Sequence, residues 1–342
     1  MSMMWDGGPV IQGGTSAQLA ALARAARESD GQPPFSEQTL LDIARGDQSA
    51  VLFHAALDAP ARPETTDDTA TTADAPAAFS GAAVVLRPAS GSSDHSKNPQ
   101  PATLELTVHP AHRGRGLGDA LIQTVLGWLA AERTDSDSGP SVLAWAHGDH
   151  PAARALAARY GFAPVRELLQ LSLESFSSES SDPMAQTPPT GLPAGFSLRT
   201  FQPGDEDAVL RVNAQAFTHH PEQGSLSLVD LQDRMAQPWF DPQGLFLVFG
   251  PDQHLRGFHW TKLEASPSGT AEGEVYVVGI DPQAQGLGLG RALTQAGLDY
   301  LRSKRPARIV LYVDADNTAA VRLYHSLGFT LRHTDVMYHL QA

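Results

Sequence analysis

The chain has 342 residues, enough for two domains of about 150–180 residues, each with a core of its own. Its formal charge of −14 without any basic run argues against nucleic-acid binding, and its lack of cysteine excludes disulfides, a thiolate nucleophile and thiolate metal sites. With 42% hydrophobic and 18% charged residues, no leader-like N-terminus and no apolar window approaching about 18 residues, a cytoplasmic protein without a membrane partner is expected.

In chain order, Ser16–Ser29 and Ser36–Arg45 carry helical periodicity, and Ala50–Asp58 and Phe79–Arg87 read as strands. Ala59–Ala78, rich in Thr, Asp and Ala, and Ala89–Pro101 read as flexible hairpin insertions. Strand Thr103–Val108, helix Gly116–Glu132, strand Ser141–Ala146, helix Pro151–Tyr160 and strand Val165–Leu173 complete the first half. Residues 174–195, rich in Ser, Pro and acid, read as a linker and divide the chain into 1–175, 176–195 and 196–342. The second half runs strand Phe196–Thr200, helices Asp205–Phe217 and Leu226–Gln237, then strands Leu245–Phe249, Leu255–Leu263 and Glu274–Ile280. Helix Gly288–Arg302, strand Ile309–Val313 and helix Asn317–Leu327 follow, and strand Phe329–Leu340 closes the sheet. Each half is a mixed sheet flanked by helices, an α/β (α+β, mixed-sheet) architecture in two copies.

The halves repeat one another. Residues 104–129 (LELTVHPAHRGRGLGDALIQTVLGWL) and 276–301 (YVVGIDPQAQGLGLGRALTQAGLDYL) each run strand, Pro, Gly-rich turn, amphipathic helix. Pro110, Gly116 and Gly118 match Pro282, Gly288 and Gly290 at an offset of 172, and Tyr160-Gly161-Phe162 matches Leu327-Gly328-Phe329 at 167. In both turns glycines let successive N–H groups converge beside a helix N-terminus, which suits a pyrophosphate. Neither turn is followed by Gly-Lys-Ser/Thr, and neither has the G-x-G-x-x-G spacing. One such turn reads equally as structural; its repetition favours phosphate binding.

These [Arg/Gln]-x-x-Gly-x-Gly turns resemble the acyl-CoA motif of the GNAT acetyltransferase superfamily. HHPEQG (219–224), FHWTK (258–262), GEVYVVGIDPQAQGLGLGRALT (273–294) and LYVDADNTAAVRLYHSLGF (311–329) resemble the mycothiol synthase family of tandem GNAT enzymes. The resemblance covers both halves and nearly all of the second. It implies an N-acetyltransferase that moves acetyl from acetyl-CoA to the cysteinyl amine of cysteinyl-glucosaminyl-inositol, the last step of mycothiol formation, with the second half active.

The resemblance also implies the donor-binding segments. In the second half these are Val278, Gly279 and Ile280 on the strand, then Gln285, Gly286, Leu287, Gly288, Leu289, Gly290 and Arg291 in the turn. Asn317, Thr318, Ala319, Ala320, Val321 and Arg322 follow on the next helix. First-half counterparts are Leu106, Thr107 and Val108, with Arg113, Gly114, Arg115, Gly116, Leu117 and Gly118. Glu222, Lys262, Tyr312 and Glu274 are implied as acceptor contacts. Glu37 matches such a position more loosely, and a first-turn Glu beside an N-cap Ser36 reads equally well as structural.

Acetyl transfer from a thioester needs a deprotonated amine, proximity, an oxyanion donor and an acid for the departing thiolate. Glu274, opening the central strand beside the turn, is the expected base, and Tyr324 the expected acid; the resemblance implies the same roles. The N–H of Val278 or a neighbour would polarise the carbonyl. The 172 offset puts Ala102 opposite Glu274, while the 167 offset puts Ala157, Trp145 and His150 opposite Tyr324, Tyr312 and Asn317. The first half is therefore expected to bind acetyl-CoA without catalysing, its turn made more cationic by Arg113 and Arg115. Glu105 reads as an outward-facing strand residue. His219 and His220 are adjacent and no H-x-x-x-H pair occurs, so no metal is expected. The partners expected are acetyl-CoA and a polar amine, with a monomer as the working assumption. A tandem GNAT acting on another amine, or an acyl-CoA sensor without turnover, stays open.

Overall fold

The structure, a computed structural model, describes residues 3–4, 15–47, 49–57, 78–87, 101–132, 141–174, 191–218, 220–265 and 271–341. The bulk of both expected insertions, linker residues 176–190 and His219 lie outside the described residues. The chain packs as two compact units, Met1–Leu168 with Thr334–Ala342, and Leu169–His333.

The first unit holds strand β1 (Met3–Met4), helices α1 (Thr15–Asp30) and α2 (Glu37–Arg45), and strands β2 (Ala50–Leu57), β3 (Gly81–Leu86) and β4 (Ala102–Val108). Helix α3 (Leu117–Ala131), strand β5 (Val142–Ala146), helix α4 (Pro151–Tyr160) and the start of strand β6 (Ala163–Glu174) follow. Helix α2 begins where the Ser36 hydroxyl accepts the Thr39 N–H and ends at Gly46 in the left-handed conformation. Successive side chains of β2 and β3 enter opposite cores. Val51, Phe53, Ala83 and Val85 meet α3, whereas Leu52, Ala82 and Val84 meet Leu19, Leu22 and Ile43 of α1 and α2.

The second unit holds strand β7 (Ser197–Thr200), helices α5 (Glu206–Ala216), α6 (Pro221–Gly224) and α7 (Leu228–Met235), and strands β8 (Leu245–Phe249), β9 (Leu255–Ala265) and β10 (Ala271–Ile280). Helix α8 (Leu289–Ser303), strand β11 (Arg308–Asp314), helix α9 (Thr318–Ser326) and the start of strand β12 (Thr330–Leu340) complete it. Leu298 and Leu301 of α8 pack with Val275, Ile309, Leu311 and Val313 on one sheet face. Val209, Val212 and Leu231 of α5 and α7 pack with Phe258 and Trp260 on the other.

Every expected long strand and helix forms, but the final strands do not close their own halves. Strand β12 pairs antiparallel with β5, from Val336 opposite Ala146 to Leu340 opposite Val142. Beside β11 lies β6, which belongs to the first half of the sequence. Each unit thus takes its last strand from the other half. Both strands are apolar alternations of similar length, so their pattern states a strand without stating whose.

A buried charge network fastens β12 to the first unit. Asp335 accepts the Gly148 N–H (2.7 Å) and bonds His147 Nδ1 (3.1 Å), while His147 Nε2 bonds Glu105 (3.1 Å). Glu105 in turn accepts the Ser36 N–H with both oxygens (3.0 and 3.1 Å). Burial opposes a charge on His147, but its bonds to Asp335 and Glu105 prevail and hold its pKa up at about 10. Glu105 is only 2% exposed, so the outward-facing assignment is corrected: β4 is covered on both faces, and the carboxylate is paired within.

Removing Asp335 leaves an unbalanced buried cluster, so Asp335→Ala is expected to cost the first unit about 3–5 kcal/mol in urea unfolding. Because the folded pKa of His147 lies above its unfolded value of about 6.5, its contribution is complete below that pH and fades as pH rises through 10. The native urea midpoint should fall over that window, and that of Asp335→Ala should fall less; parallel declines would contradict the network.

Candidate active site

The two Gly-rich turns have the same backbone. Gly114 and Gly116 sit at φ +72° and +81°, Gly286 and Gly288 at +79° and +80°. No atom comes within 4 Å of a Cβ built on any of the four, so these glycines serve conformation and not space. Gly116 and Gly288 are N-caps without a side-chain bond, which leaves the first N–H groups of α3 and α8 facing outward. Gly290 has an ordinary helical φ, and its Cβ would meet only Ile280, at 4.0 Å.

The charges around the turns differ from expectation. Arg113 is already paired with Asp30 through two bonds of 2.6 and 2.7 Å. Asp119 occupies the first turn of α3, held by Arg159 at 2.6 Å. At the corresponding place α8 carries Arg291, which reaches Ser326 Oγ at 3.1 Å, and its first turn has no acid. Of the two arginines in the first turn, Arg113 is thus neutralised locally by Asp30, which leaves Arg115 to supply the turn's positive charge.

In both units the parallel strands beyond the turn part. Strand β10 pairs with β11 from Glu272–Arg308 to Val275–Leu311 and then runs on to Ile280 with β9 but without β11. Strand β4 pairs with β5 from Ala102–Val142 to Glu105–Trp145 and runs on to Val108. The first unit has a cavity of about 370 Å3 there, lined among others by Leu106, Val108, Gly116, Trp145 and Ala153.

Strand β10 differs from β4 by a bulge. Its register with β9 shifts between Val275–Thr261 and Val277–Trp260, so Tyr276 and Val277 enter the same cluster. The β4–β3 ladder runs unbroken from Gly81–Val108 to Leu86–Thr103. The extra residue moves the counterpart of Glu274 from Ala102 to Thr103, as their partners Val310 and Leu143 also indicate. Neither residue is a carboxylate.

Glu274 lies inside β10, which begins at Ala271, and stands across the ladder from Lys262. Lys262 Nζ is 2.9 Å from Glu264, over the rings of Trp239 (5.0 Å) and Tyr276 (5.4 Å). The Tyr276 hydroxyl accepts from Arg234 Nε (3.0 Å). Since Ile309, Leu311 and Val313 face α8, Tyr312 and Asp314 face the Glu274 side. Asp314 meets His220 at 3.4 Å, and Tyr312 accepts from Gln170 at 2.5 Å.

Tyr324 belongs to the opposite face, buried with its ring edge against Phe329 (5.9 Å), and burial pushes its phenol up to about 12. Asn317 caps α9 by accepting the Ala320 N–H, as His150 caps α4, and Thr318, Ala319, Ala320, Val321 and Arg322 follow it. Glu274, Lys262 and Tyr312 thus share one face, with Tyr324 across the sheet. Glu37 is the first residue of α2, in the first unit. The Glu222 side chain lies outside the described residues. Sequence reasoning passed over Tyr276, Arg234 and Gln170; the broken alternation in VYVVGI was the one available sign of the bulge.

Residues 81–162 and 210–329 match the Acetyltransferase (GNAT) family. The chain is 46% identical over 336 residues to a mycothiol acetyltransferase of Arthrobacter sp. (strain FB24), covering 96% of this chain and 94% of the relative. It is 45% identical over 323 residues to that of Renibacterium salmoninarum, covering 94% and 86%. A tandem GNAT protein from the clavulanic acid biosynthesis pathway superposes with a TM-score of 0.63 at 17% identity over 96% of this chain and 94% of that one. A GCN5-related N-acetyltransferase from Sphaerobacter thermophilus gives 0.62 at 23%, over 97% and 94%. At these identities the structural likeness is one of fold.

Gly288→Ala forces a side chain into the left-handed region and is expected to cost about 1–2 kcal/mol. Gly290→Ala should be neutral or stabilise by up to about 1 kcal/mol. Urea denaturation separates them, and equal costs would refute the conformational role of Gly288.

Proposed function

This chain belongs to the mycothiol acetyltransferase family of tandem GNAT proteins, and on that premise we propose a division of labour between its halves. The second half transfers the acetyl group of acetyl-CoA to the cysteinyl amine of cysteinyl-glucosaminyl-inositol. The first half binds acetyl-CoA without turnover. The observation that carries this reading is the parting of β10 from β11 at the tip of α8, with Glu274 on one sheet face and Tyr324 on the other.

The residues fit the donor. The outward N–H groups beyond Gln285, Gly286, Leu287 and Gly288, with Leu289, Gly290 and Arg291 behind them, offer a helix tip for the pyrophosphate. The bare edge of β10 past Val275, including Val278, Gly279 and Ile280, offers backbone groups to the pantetheine arm and an N–H to the carbonyl oxygen. Glu274 takes the ammonium proton, directly or through one water. The freed amine attacks the carbonyl carbon, and the C–S bond breaks. Tyr324 donates to the departing sulfur, and the proton shed by the new amide nitrogen passes back to its phenolate. The raised pKa of Tyr324 keeps it protonated at every working pH, as a proton donor to the sulfur must be. Lys262, Tyr312 and Glu222 contact the acceptor.

In the first half the glycine turn and the parted strands remain, while Thr103 and Ala157 stand for Glu274 and Tyr324. That combination supports binding without chemistry.

Glu274→Gln and Tyr324→Phe are each expected to lower kcat by about 10²–10⁴ while sparing acetyl-CoA affinity, measured by CoA release with cysteinyl-glucosaminyl-inositol beside a panel of other amines. Near-native turnover in the double variant would remove both from the mechanism, and faster release with another amine would replace the acceptor. Gly116→Val with Gly118→Val should reduce acetyl-CoA stoichiometry in calorimetric titration from two per chain to one, with most activity retained; an unchanged stoichiometry would refute binding by the first half.

A further inference from the structure

We propose that Gln170 is a positioning residue for the acceptor, acting by aiming the hydroxyl of Tyr312; this rests on the reading that Tyr312 contacts the acceptor. Gln170 lies on β6, ahead of the linker in sequence, yet packs in the second unit with 2% of its surface exposed. Leu169, Leu171 and Leu173 enter the core with α8 and α9, so Gln170 faces the side that carries Glu274 and Tyr312.

The direction of its bonds follows from its neighbour. Arg332 of β12 offers only donors and reaches Gln170 Oε1 at 3.3 Å, so the amide oxygen is committed to it. The amide NH2 therefore faces Tyr312, and the phenol oxygen accepts at 2.5 Å. The Tyr312 proton then points away from Gln170, and an acceptor meets the hydroxyl as a donor. Arg332 is itself held 3.7 Å from Glu272, which also pairs with Arg308 at 3.4 Å, so the orientation is anchored on β10.

The first half supplies an internal comparison. At the offset of 167, Tyr312, Gln170 and Arg332 correspond to Trp145, Met337 and Val165. Trp145 and Met337 pair directly across β5 and β12, where the Trp145 ring lies under the Arg166 guanidinium and offers no hydroxyl to orient. The half without the proposed base and acid lacks every member of the relay. A buried amide costs stability unless it is bonded, so a core requirement alone is met by Met.

The test is steady-state kinetics with cysteinyl-glucosaminyl-inositol and acetyl-CoA on the full chain. Gln170→Met removes the bond, and Gln170→Glu reverses it, since a carboxylate accepts the Tyr312 proton. Both are expected to raise acceptor KM about fivefold to tenfold, with acetyl-CoA KM, kcat and melting temperature little changed. In a Tyr312→Phe background Gln170→Met should add nothing. An unchanged acceptor KM in both Gln170 variants, or a full further increase on Tyr312→Phe, overturns the positioning role. If Tyr312→Phe alone leaves acceptor KM unchanged, the acceptor contact itself fails and this inference with it.

Discussion

Parallel strands normally share a ladder along their whole common length, because backbone groups without partners are costly when buried. Here β10 and β11 share only the stretch from Glu272 to Val275 and then separate, while β10 keeps its other neighbour, β9, as far as Ile280. One edge of β10 is left bare beside the capless tip of α8. In the function proposed above, phosphate recognition, carbonyl polarisation and the approach of two side chains from opposite faces all depend on that gap. The bulge at Tyr276 adjusts it, setting Glu274 one residue out of step with its opposite number in the first half.

The two copies have spent the same scaffold differently. Both keep left-handed glycines, a Pro-led turn and parted strands. In the first unit the face that would meet an amine is filled by Glu105 and His147, bonded to one another and to Ser36 and Asp335. In the second that face carries Glu274, Lys262 over two aromatic rings, and Tyr312. One copy ties these polar groups to one another to hold itself together, and the other carries them on the sheet face of Glu274.

Much of this was legible from residues alone. Periodicity and capping residues mark nearly every element: α2 and α9 start at Ser and Asn caps, α3 and α8 at glycine turns, and α2 and α4 stop at left-handed glycines. The duplication made the glycine turns interpretable and exposed the loss of Tyr324 in the first half. What failed to read out was non-local. Arg113 looks free until Asp30, far away in sequence, is found against it. Glu105 looks like a surface residue because alternation reports a strand's own faces and not what covers them. A bulge adds a residue without breaking an apolar run, so counting offsets misplaced the partner of Glu274 by one position.

The exchange of final strands has a consequence for synthesis of the protein. The first unit is complete only when residues 336–340 reach β5, and those come after the whole of the second unit in sequence. Its hydrophobic layers must therefore wait, with one edge open, until the second unit has been synthesised. Such a chain folds late and all together, and separating it at the linker by protease or by gene splitting yields two fragments that each carry the other's missing piece.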